Sequence, residues 1–534
     1  MDFPVIPGSW QALGLVTLIT LSVHLFFQPK HNLPPGPKGL PLLGNLFQLP
    51  QFQWLRFTEW KEEFGPIFSL NLAGQTVIVL NSHKVTADLL GTSIHAPDIR
   101  VFLMIVTPDR RSAVYSDRPR FIMAGEILTG KIFIAFSGYG ELWRKLRKAS
   151  HEGLNVRASE VYQPSQEKEA AVLVDNMLKD PISWDDHLKR SAASTILTAV
   201  YGMDPIKTKD DPLITRINDL MHRLVRATLP GSFLVDIFPV MKHLPEAIAP
   251  WKKEGMEWHR KDTVMFQEFM DGVRKQVNAG EAKPSFAAGL IEKKKTHQLS
   301  TKEESWLAGT MFGAGAETTA AALSVFILAM RLYPNVMKKA QAEIDAVVGR
   351  DRLPTFEDRK NLPYIRAIVK EVLRWRPVGP LGLPRRAMKD DFYEGYFIPK
   401  GSLVIANVWA MNRDPAIFPD YDEFRPERFL DKTGTLEIVP PDTHNQGHVT
   451  FGFGRRICIG LNIANQALFI DIASLLWAAS IEAAYDETGA EIIPSRTECV
   501  DEGLVVRPVP FHCKIAPRSE DVDAMLAMAK KKIW

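Results

Sequence analysis

Residues 451–460 read Phe-Gly-Phe-Gly-Arg-Arg-Ile-Cys-Ile-Gly, and they surround Cys458 with residue types that suit a metal cofactor. The glycines near the thiol let backbone N–H groups approach the sulfur closely. Arg456 precedes the cysteine by two residues and can reach an acidic group of a cofactor. The apolar run 461–476 predicts a helix, so Cys458 stands just before a helix N-terminus, where a thiolate is favoured. A thiolate held in this way is a suitable axial ligand for haem iron, whereas a buried cysteine that acts as a small hydrophobe is the alternative.

The composition is that of an ordinary globular chain. Of the 534 residues, 46% are hydrophobic and 24% are charged. The length alone suggests several domains, but no Gly/Ser linker, internal repeat or low-complexity run divides the sequence. Its cysteines, Cys458, Cys499 and Cys513, cannot form a disulfide framework and fit a reducing compartment. The net charge of +3 gives no reason to expect a nucleic-acid partner.

The N-terminus differs from the rest of the chain. Residues 10–27 contain no Asp, Glu, Lys or Arg, and Lys30, His31 and Lys38 follow them. A helix of this length spans roughly 27 Å, which suits the thin membrane of the endoplasmic reticulum. The cations after the span favour a catalytic body on the cytoplasmic side. The sequence therefore predicts a single-pass transmembrane anchor at 1–28, with a monotopic helix in contact with membrane lipid as the alternative.

A proline-rich stretch, 33–41, lies within the segment 29–50. Prolines hold the backbone extended and remove hydrogen-bond donors. This segment is therefore predicted to be a semi-rigid hinge between the anchor and the body.

The body combines a few short β-rich runs with many long helical patterns. The runs 67–72 and 76–80 flank a Gly-containing turn and predict a hairpin, and 392–399 and 402–407 predict further strands. Apolar residues at helical spacing predict long helices at 139–150, 166–178, 213–227, 251–279, 301–332, 335–348 and 362–375. The pattern indicates a mainly α fold with a small β-rich subdomain near its N-terminal end.

The spacing Phe-x-x-Gly-x-Arg-x-Cys-x-Gly resembles the haem-binding loop of the cytochrome P450 monooxygenases. The wording of residues 450–456 is most similar to fungal microsomal members of that family, and the resemblance extends from the hinge to Cys513. It implies a haem-thiolate catalytic domain at 51–517, followed by a polar tail at 518–534. It also implies haem b as the cofactor, with the Cys458 thiolate as the axial ligand and Phe451 among the cofactor-binding residues.

A second motif lies inside the longest helical pattern, at 314–319. Glycine and threonine form helices poorly, and a threonine hydroxyl can bond back to the carbonyl one turn earlier and bend the helix. The segment resembles the oxygen-binding part of the family's central helix. The resemblance implies that Thr318 hydrogen-bonds dioxygen and that Glu317 relays protons. The alternative is a helix-packing face of small residues with a surface glutamate.

Several cations match positions that bind the haem propionates in this family. Trp143 and Arg147 are four residues apart, so they share one helical face, where an indole N–H and a guanidinium can reach a carboxylate. The resemblance adds Arg385 and Arg456 to this set. Buried propionates require cationic partners, although each arginine alone could be a surface charge.

Two further groups are expected to support the fold and a partner. Glu371 and Arg374 share a helical face, and the resemblance implies that Arg428 completes a structural triad behind the haem. Most such pairs are solvated and contribute little. The basic residues Arg144, Lys145 and Lys148 suit the docking of an acidic NADPH-cytochrome P450 reductase, with a solvated face as the alternative.

One stretch, 91–108, departs from the family's pattern. It contains the apolar run 101–106 and is expected to be either a true insertion near the substrate entrance or an intron retained in the gene model. An insertion of this kind would form an exposed, poorly ordered loop. Sequencing the transcript separates the two readings.

The resemblance as a whole implies a monooxygenase that inserts one atom of O₂ into an apolar organic substrate. Its electrons would come from NADPH through a partner reductase, because the chain has no flavin or dinucleotide fingerprint of its own. Phe312, Ala316, 378–381 and 126–136 are expected to line the pocket. Fungal secondary metabolism of terpenoid, polyketide or aromatic scaffolds, or xenobiotic oxidation, is the expected setting. A haem-thiolate isomerase or dehydratase that needs no O₂ and a non-catalytic haem-binding membrane protein are the alternatives.

Overall fold

A computed structural model describes residues 32–91, 107–229, 231–440, 443, 445–501 and 503–533 of the chain. The predicted transmembrane anchor, 1–28, lies outside these residues, as does most of the predicted insertion, 91–108. The last two residues of that insertion, Thr107 and Pro108, already belong to a helix.

Helices form most of the described chain. In chain order they are α1 Gln53–Phe64, α2 His83–Leu90, α3 Thr107–Val114, α4 Glu141–Leu154, α5 Val156–Glu160, α6 Gln163–Lys179, α7 Trp184–Tyr201, α8 Pro212–Thr228, α9 Leu234–Ile237, α10 Pro250–Ala279, α11 Phe286–Glu292, α12 Lys294–His297, α13 Thr301–Leu332, α14 Pro334–Val347, α15 Pro363–Trp375, α16 Val408–Met411, α17 Leu461–Ala478 and α18 Val522–Ile533. A π-helical segment, Ile122–Leu128, precedes α4.

The strands are short and fall into small sheets. They are β1 Ile67–Leu72, β2 Gln75–Leu80, β3 Arg385–Arg386, β4 Asp391–Tyr393, β5 Tyr396–Ile398, β6 Leu403–Ala406, β7 Ala479–Glu482, β8 Ala484–Tyr485, β9 Glu491–Ile492, β10 Cys499–Asp501, β11 Val506–Pro508 and β12 Lys514–Pro517. The largest sheet has four strands in the order β1-β2-β6-β3. β2 is antiparallel to β1, with Ile67 opposite Leu80, and parallel to β6.

Helix α13 is the axis of the fold. Ser300 and Glu303 form a reciprocal capping box at its start, which satisfies two backbone N–H groups that the helix leaves open. Its first half is buried in a core with α7, α8 and α10, and its second half is buried in another core with α14, α15 and α17. Helices α13 and α17 are long and apolar enough to cross a membrane by length and composition, but most of each is buried within the protein.

The predicted helices and strands agree closely with the structure. The helix predicted at 301–332 has these bounds, and those predicted at 166–178, 251–279 and 362–375 differ from α6, α10 and α15 by a few residues at most. The hairpin forms, with β1 at its predicted bounds and β2 one residue longer. The single run predicted at 392–399 is instead a tight hairpin of β4 and β5, because Glu394 and Gly395 adopt positive φ between them. Helix α7 was not among the predicted helices.

The segments at either end of the body pack onto it. In the part of the predicted hinge that the structure describes, the carbonyls of Pro34 and Pro35 accept hydrogen bonds from Ser69 in β1, at 2.6 and 2.8 Å. The predicted polar tail, 518–534, contains helix α18, in which Val522 and Leu526 are buried. Arg518, just before it, forms a two-point ion pair with Asp345 of α14. The C-terminal segment is therefore amphipathic and packed rather than uniformly polar.

Candidate functional site

A cavity of about 400 Å³ lies between α13 and the loop that precedes α17. Most of its wall is apolar. Its lining residues come from widely separated parts of the chain, including the segment before α4, helices α7, α8, α13 and α17, strand β6 and the segment 378–383. A large apolar cavity with few polar groups is the usual form of a small-molecule site.

The loop 451–460, which we call the thiolate loop, forms one wall of this cavity. The N–H of Cys458 donates to the carbonyl of Phe451 at 2.9 Å and closes the loop. Gly454 has a φ of +52°, and a Cβ at this position would lie 2.1 Å from the carbonyl oxygen of Leu90. Only glycine fits this position, and the loop therefore approaches α2 through its backbone.

Cys458 lines the cavity, and its side chain is accessible from that cavity although it lies deep inside the protein. Burial raises the pKa of its thiol, whereas the backbone N–H groups of Gly460 and Leu461 and the positive charge of Arg147 act in the opposite direction. Leu461 is the first residue of α17, so the sulfur lies at a helix N-terminus, as the sequence indicated. The helix N-terminus and Arg147 favour the thiolate, but the effect of burial is larger, so the thiolate requires a cation bound at the sulfur.

Four arginines, Arg118, Arg147, Arg385 and Arg456, line the cavity near the thiolate loop, and we call them the clamp. Arg147 donates to the carbonyl of Ile457 at 2.8 Å, and Arg385 donates to that of Phe453 at 2.5 Å. Arg118 donates to the carbonyls of Leu383 and Pro384. In the described part of the chain, none of the four forms an ion pair with a carboxylate.

The clamp carries an uncompensated positive charge. Burial, with the neighbouring clamp cations, lowers the pKa of Arg456 to about 8 and that of Arg385 to about 9. Burial lowers the pKa of Arg118 to about 10, although Asp117 acts in the opposite direction. Because guanidinium groups stay protonated in proteins, these lowered pKa values indicate that an anion in the cavity would stabilise the site.

Trp143 lies beside the clamp and lines the cavity. The guanidinium of Arg456 stacks over its ring at 4.3 Å from the ring centroid. Arg456 also donates to the carbonyls of Ser116 and Ser137, each at 2.8 Å. The structure thus brings the predicted propionate-binding residues, Trp143, Arg147, Arg385 and Arg456, to the wall of one cavity. It adds Arg118, which was not predicted. No local pattern marks Arg118, since the carbonyls it binds are far away in the sequence.

Thr318 and Glu317 line the opposite wall, on α13. The hydroxyl of Thr318 donates to the carbonyl of Ala314 at 2.8 Å, which is the back-bond expected from the sequence. Two glycines on this stretch allow close packing of other helices. A Cβ on Gly315 would lie 2.7 Å from Ile196 of α7, and a Cβ on Gly313 would lie 2.7 Å from the sulfur of Met221 in α8.

Phe312 and Ala316 do not line the cavity, and in this respect the predicted pocket was wrong. Both are buried, and the Phe312 ring packs against Tyr201 of α7. The cavity face of α13 instead carries Thr310, Met311 and Ala314 together with Glu317 and Thr318. A shift of one residue rotates a helix position by about 100°, so a small error in assigning the face exchanges the cavity side for the core side.

The other predicted pocket segments are partly correct. Of 378–381, Val378, Gly379 and Leu381 line the cavity, and of 126–136 only 133–136 do so. Two further groups of lining residues were not predicted. They lie on α7 and α8 and just before β11: Ala192, Thr195, Ile196, Val200, Met221, Leu224, Leu504 and Val505.

Glu371, Arg374 and Arg428 form a buried triad, which we call the lock. Arg374 binds the Glu371 carboxylate through two bonds of 2.6 and 2.8 Å, and Arg428 binds it at 3.1 Å. Arg374 also donates to the backbone carbonyls of Asn412 and Tyr421. The lock therefore ties α15 to the irregular segments that lead to the thiolate loop, and it does not line the cavity.

The residues of the site fit a haem. The clamp would bind the anionic propionates of a haem, and the cysteine sulfur in the wall would bind its iron. The apolar side chains of the cavity would contact its apolar ring. A mainly helical fold with this site defines a haem-thiolate enzyme. The sequence model of the cytochrome P450 family matches residues 34–511, and the chain belongs to that family. It is a cytochrome P450 monooxygenase.

The chain is similar to fungal members of the family. It is 64% identical to cytochrome P450 monooxygenase 253 of Postia placenta over 97% of this chain and 95% of the relative. Cytochrome P450 monooxygenase 58 of the same fungus is also 64% identical, with the same coverage. A cytochrome P450 monooxygenase of Armillaria gallica is 48% identical over 98% of this chain and 97% of the relative. The predicted resemblance to fungal P450 monooxygenases is thereby confirmed.

Proposed function

We propose that Cys458 is the axial haem ligand and that the chain inserts one atom of O₂ into an apolar organic substrate. The observation that carries this proposal is one cavity whose lining residues include Cys458 and the clamp together with Thr318 and Glu317. The haem, when bound, supplies the activation of O₂ and the two-electron chemistry. The chain supplies the binding groups, the proton donors and the exclusion of water.

The clamp and the thiolate loop would hold the cofactor in one orientation. Arg118, Arg147, Arg385 and Arg456 lie on the same side as Cys458, so the propionates and the axial ligand are fixed together. Trp143 and Phe451 add apolar contacts to the ring. The positive charge of Arg147 near the sulfur favours the thiolate over the thiol.

Thr318 and Glu317 would deliver protons on the opposite side. The Thr318 hydroxyl donates to Ala314, so its oxygen is left to accept a hydrogen bond from the cavity side. Glu317 is the one carboxylate among the cavity-lining residues that the structure describes. A water that donates a hydrogen bond to the Thr318 oxygen would be held in place to carry protons from Glu317 into the cavity.

The substrate is proposed to be an apolar scaffold, because the wall above the thiolate loop consists largely of aliphatic side chains. Terpenoid, polyketide and aromatic compounds of fungal secondary metabolism fit this description, as do xenobiotics. A panel of such scaffolds, incubated with the chain and its reductase, would identify the class through product formation.

The electrons are proposed to come from NADPH through NADPH-cytochrome P450 reductase. Arg144 and Lys148 are exposed on α4, the helix that also carries Arg147 of the clamp. Lys145 and Lys148 are ion-paired with Glu141 and Glu152, at 3.0 and 4.0 Å, which reduces the net charge of this face. An anchor at 1–28 in the endoplasmic reticulum membrane would hold the chain beside the reductase.

Cys458→Ala tests the ligand assignment. We expect the red-shifted band of the reduced, CO-bound haem to disappear, because no other cysteine is among the described residues that line the cavity. Cys513→Ala is the matched control, since Cys513 is also a free cysteine but lies outside the cavity. A thiolate-type spectrum in Cys458→Ala would refute the assignment.

Thr318→Ala tests the proton-delivery role. We expect the variant to bind haem normally but to release more reducing equivalents as peroxide per NADPH consumed, because the hydroxyl that positions the proton-carrying water is missing. Thr318→Ser is the control and should keep the coupling of the wild type. An unchanged product yield per NADPH in Thr318→Ala would contradict the role, and turnover without reductase or O₂ would favour the isomerase alternative.

A further inference from the structure

Two polar residues outside the clamp and the lock connect the lock to the thiolate loop. Asn412 is fully buried, and its backbone carbonyl accepts a hydrogen bond of 2.9 Å from Arg374 of the lock. Its side-chain oxygen accepts from the N–H of Val449 at 3.1 Å, and its side-chain nitrogen donates to the Thr450 hydroxyl at 3.0 Å. Asn412 therefore joins the lock to the residues directly before the thiolate loop.

Thr450 makes a second connection to α15. Its hydroxyl accepts from Asn412 and donates to the carbonyl of Leu373 at 2.7 Å, so the oxygen has a partner on each side. Its N–H also donates to the Nδ1 atom of the buried His448 at 3.2 Å. Thr450 is the neighbour of Phe451, whose carbonyl accepts the N–H of Cys458. A continuous chain of bonds thus runs from Glu371 to the cysteine.

We propose that Asn412 and Thr450 are positioning residues for the Cys458 thiolate, and this inference rests on the proposed role of Cys458 as the haem ligand. They fix the start of the thiolate loop against α15, so the sulfur keeps one position in the cavity wall. If these bonds are lost, Leu373 and Asn412 keep unpaired polar groups in a buried place, and the loop can relax only by moving. Movement of the loop weakens the bond between sulfur and iron.

Thr450→Val in the full-length, haem-loaded chain tests the proposal. We expect the variant to bind haem but to lose the thiolate-type band of its reduced, CO-bound form about tenfold faster than the wild type. One unpaired buried group typically raises the population of the displaced thiolate loop about tenfold, and the band is lost from that displaced state. Thr450→Ser restores the hydroxyl without the methyl group and should behave as the wild type.

Thr443→Val is the matched structural control. Thr443 is also buried, and its hydroxyl donates to Pro440 and accepts from Gly447, but it touches neither α15 nor the thiolate loop through a hydrogen bond. We expect it to lower the melting temperature without accelerating the spectral change. Decay of the Thr450→Val band at the wild-type rate, or equal acceleration in Thr443→Val, would overturn the proposal.

Asn412→Asp provides a second route if Thr450→Val does not fold. It keeps the oxygen that accepts from Val449 but lacks the N–H that donates to Thr450, and it should accelerate the loss of the thiolate band. Because both substitutions remove the bond from Asn412 to Thr450, their effects in the double variant should sum to less than the two separate effects, whereas full additivity would contradict a shared role. A wild-type chain without any thiolate band would refute the proposed function instead.

Discussion

The lock and the clamp both contain buried arginines, but they differ in what compensates the charge. In the lock, Arg374 and Arg428 share the Glu371 carboxylate, with bonds of 2.6 to 3.1 Å. In the clamp, Arg385 and Arg456 donate only to backbone carbonyls in the described part of the chain, and burial and neighbouring clamp arginines lower their pKa values to about 9 and 8. The lock is complete by itself, whereas the clamp requires an anion from outside the chain.

This difference separates structural arginines from ligand-binding arginines without reference to sequence motifs. A buried guanidinium that has a carboxylate partner contributes to folding, and removing the partner is costly. A group of buried guanidiniums without a carboxylate stores repulsion that a bound anion relieves. Substitutions in the two groups should therefore affect different measurements.

Glu371→Ala should have the largest effect. It leaves Arg374 and Arg428 buried without a carboxylate, and we expect the free energy of unfolding to fall by about 3–5 kcal/mol. Denaturant unfolding of the purified chain measures this loss. Glu423→Ala is the control, because the ion pair of Glu423 with Arg496 is exposed and should contribute less than about 1 kcal/mol. Similar losses of unfolding free energy in both variants would show that the buried lock contributes no more to stability than an exposed ion pair.

Arg385→Met should reduce haem binding rather than stability. Removing one of several like charges relieves repulsion in the clamp, and we expect the unfolding of the haem-free chain to change little while haem affinity falls by about 10- to 100-fold. Titration of the haem-free chain with haem measures the affinity. The neighbouring Arg386, which is paired with Asp117, gives the control variant Arg386→Met. If haem-free Arg385→Met loses as much free energy of unfolding as Glu371→Ala does, the lock and the clamp do not differ in their contribution to stability.

His448 reports on the environment between the lock and the thiolate loop. Burial, together with Lys370 and Arg374, lowers its pKa to about 3. The unfolded chain binds this proton at an ordinary pKa of about 6.5, so stability is fully present above that value and falls as the pH drops towards 3. Between about pH 3 and pH 6.5, His448→Gln should reduce the slope of the unfolding free energy against pH by up to about 1.4 kcal/mol per pH unit. Unfolding at several pH values measures this slope.

If His448→Gln and the wild type lose stability in parallel below pH 6.5, the imidazole takes up its proton in the folded chain. In that case the cation of Arg374 would be more fully neutralised by Glu371 than the lowered pKa of His448 indicates.

Lys148→Ala should have the smallest effect on stability. Its ion pair with Glu152 spans 4.0 Å and Lys148 is exposed, so we expect a change of less than about 0.5 kcal/mol. The rate of reduction by the partner reductase at low salt should fall more clearly, since an exposed charge acts mainly on association. Stopped-flow reduction at low and high salt measures this, and a rate independent of Lys148 at low salt would exclude this face from docking.

Much of the fold and of the site could be predicted from the sequence, because the relevant signals are local. The periodicity of apolar residues marked α6, α10, α13 and α15, and the spacing around Cys458 marked the thiolate loop. Glu371 and Arg374 share a helix face at fixed spacing, so their pairing could be expected before Arg428 was placed beside them.

The remaining parts depend on tertiary contacts that no local pattern encodes. Arg118 joins the clamp through carbonyls at Leu383 and Pro384, far along the chain. Asn412 and Thr450 resemble ordinary loop residues until α15 is packed beside them. Phe312 was placed on the wrong side of α13, because that helix is apolar around its whole circumference and its sequence does not show which face meets the cavity.

The contact between Gly313 and Met221 has a consequence for how new specificities arise. Gly313 does not touch the cavity, but the Met221 side chain fills the space beside it and forms part of the cavity wall. A methyl group at position 313 would meet the flexible end of that methionine and push it towards the bound molecule. Related enzymes could therefore change substrate preference through the residue at position 313, which lies behind the cavity wall. Every side chain that contacts the substrate would keep its identity.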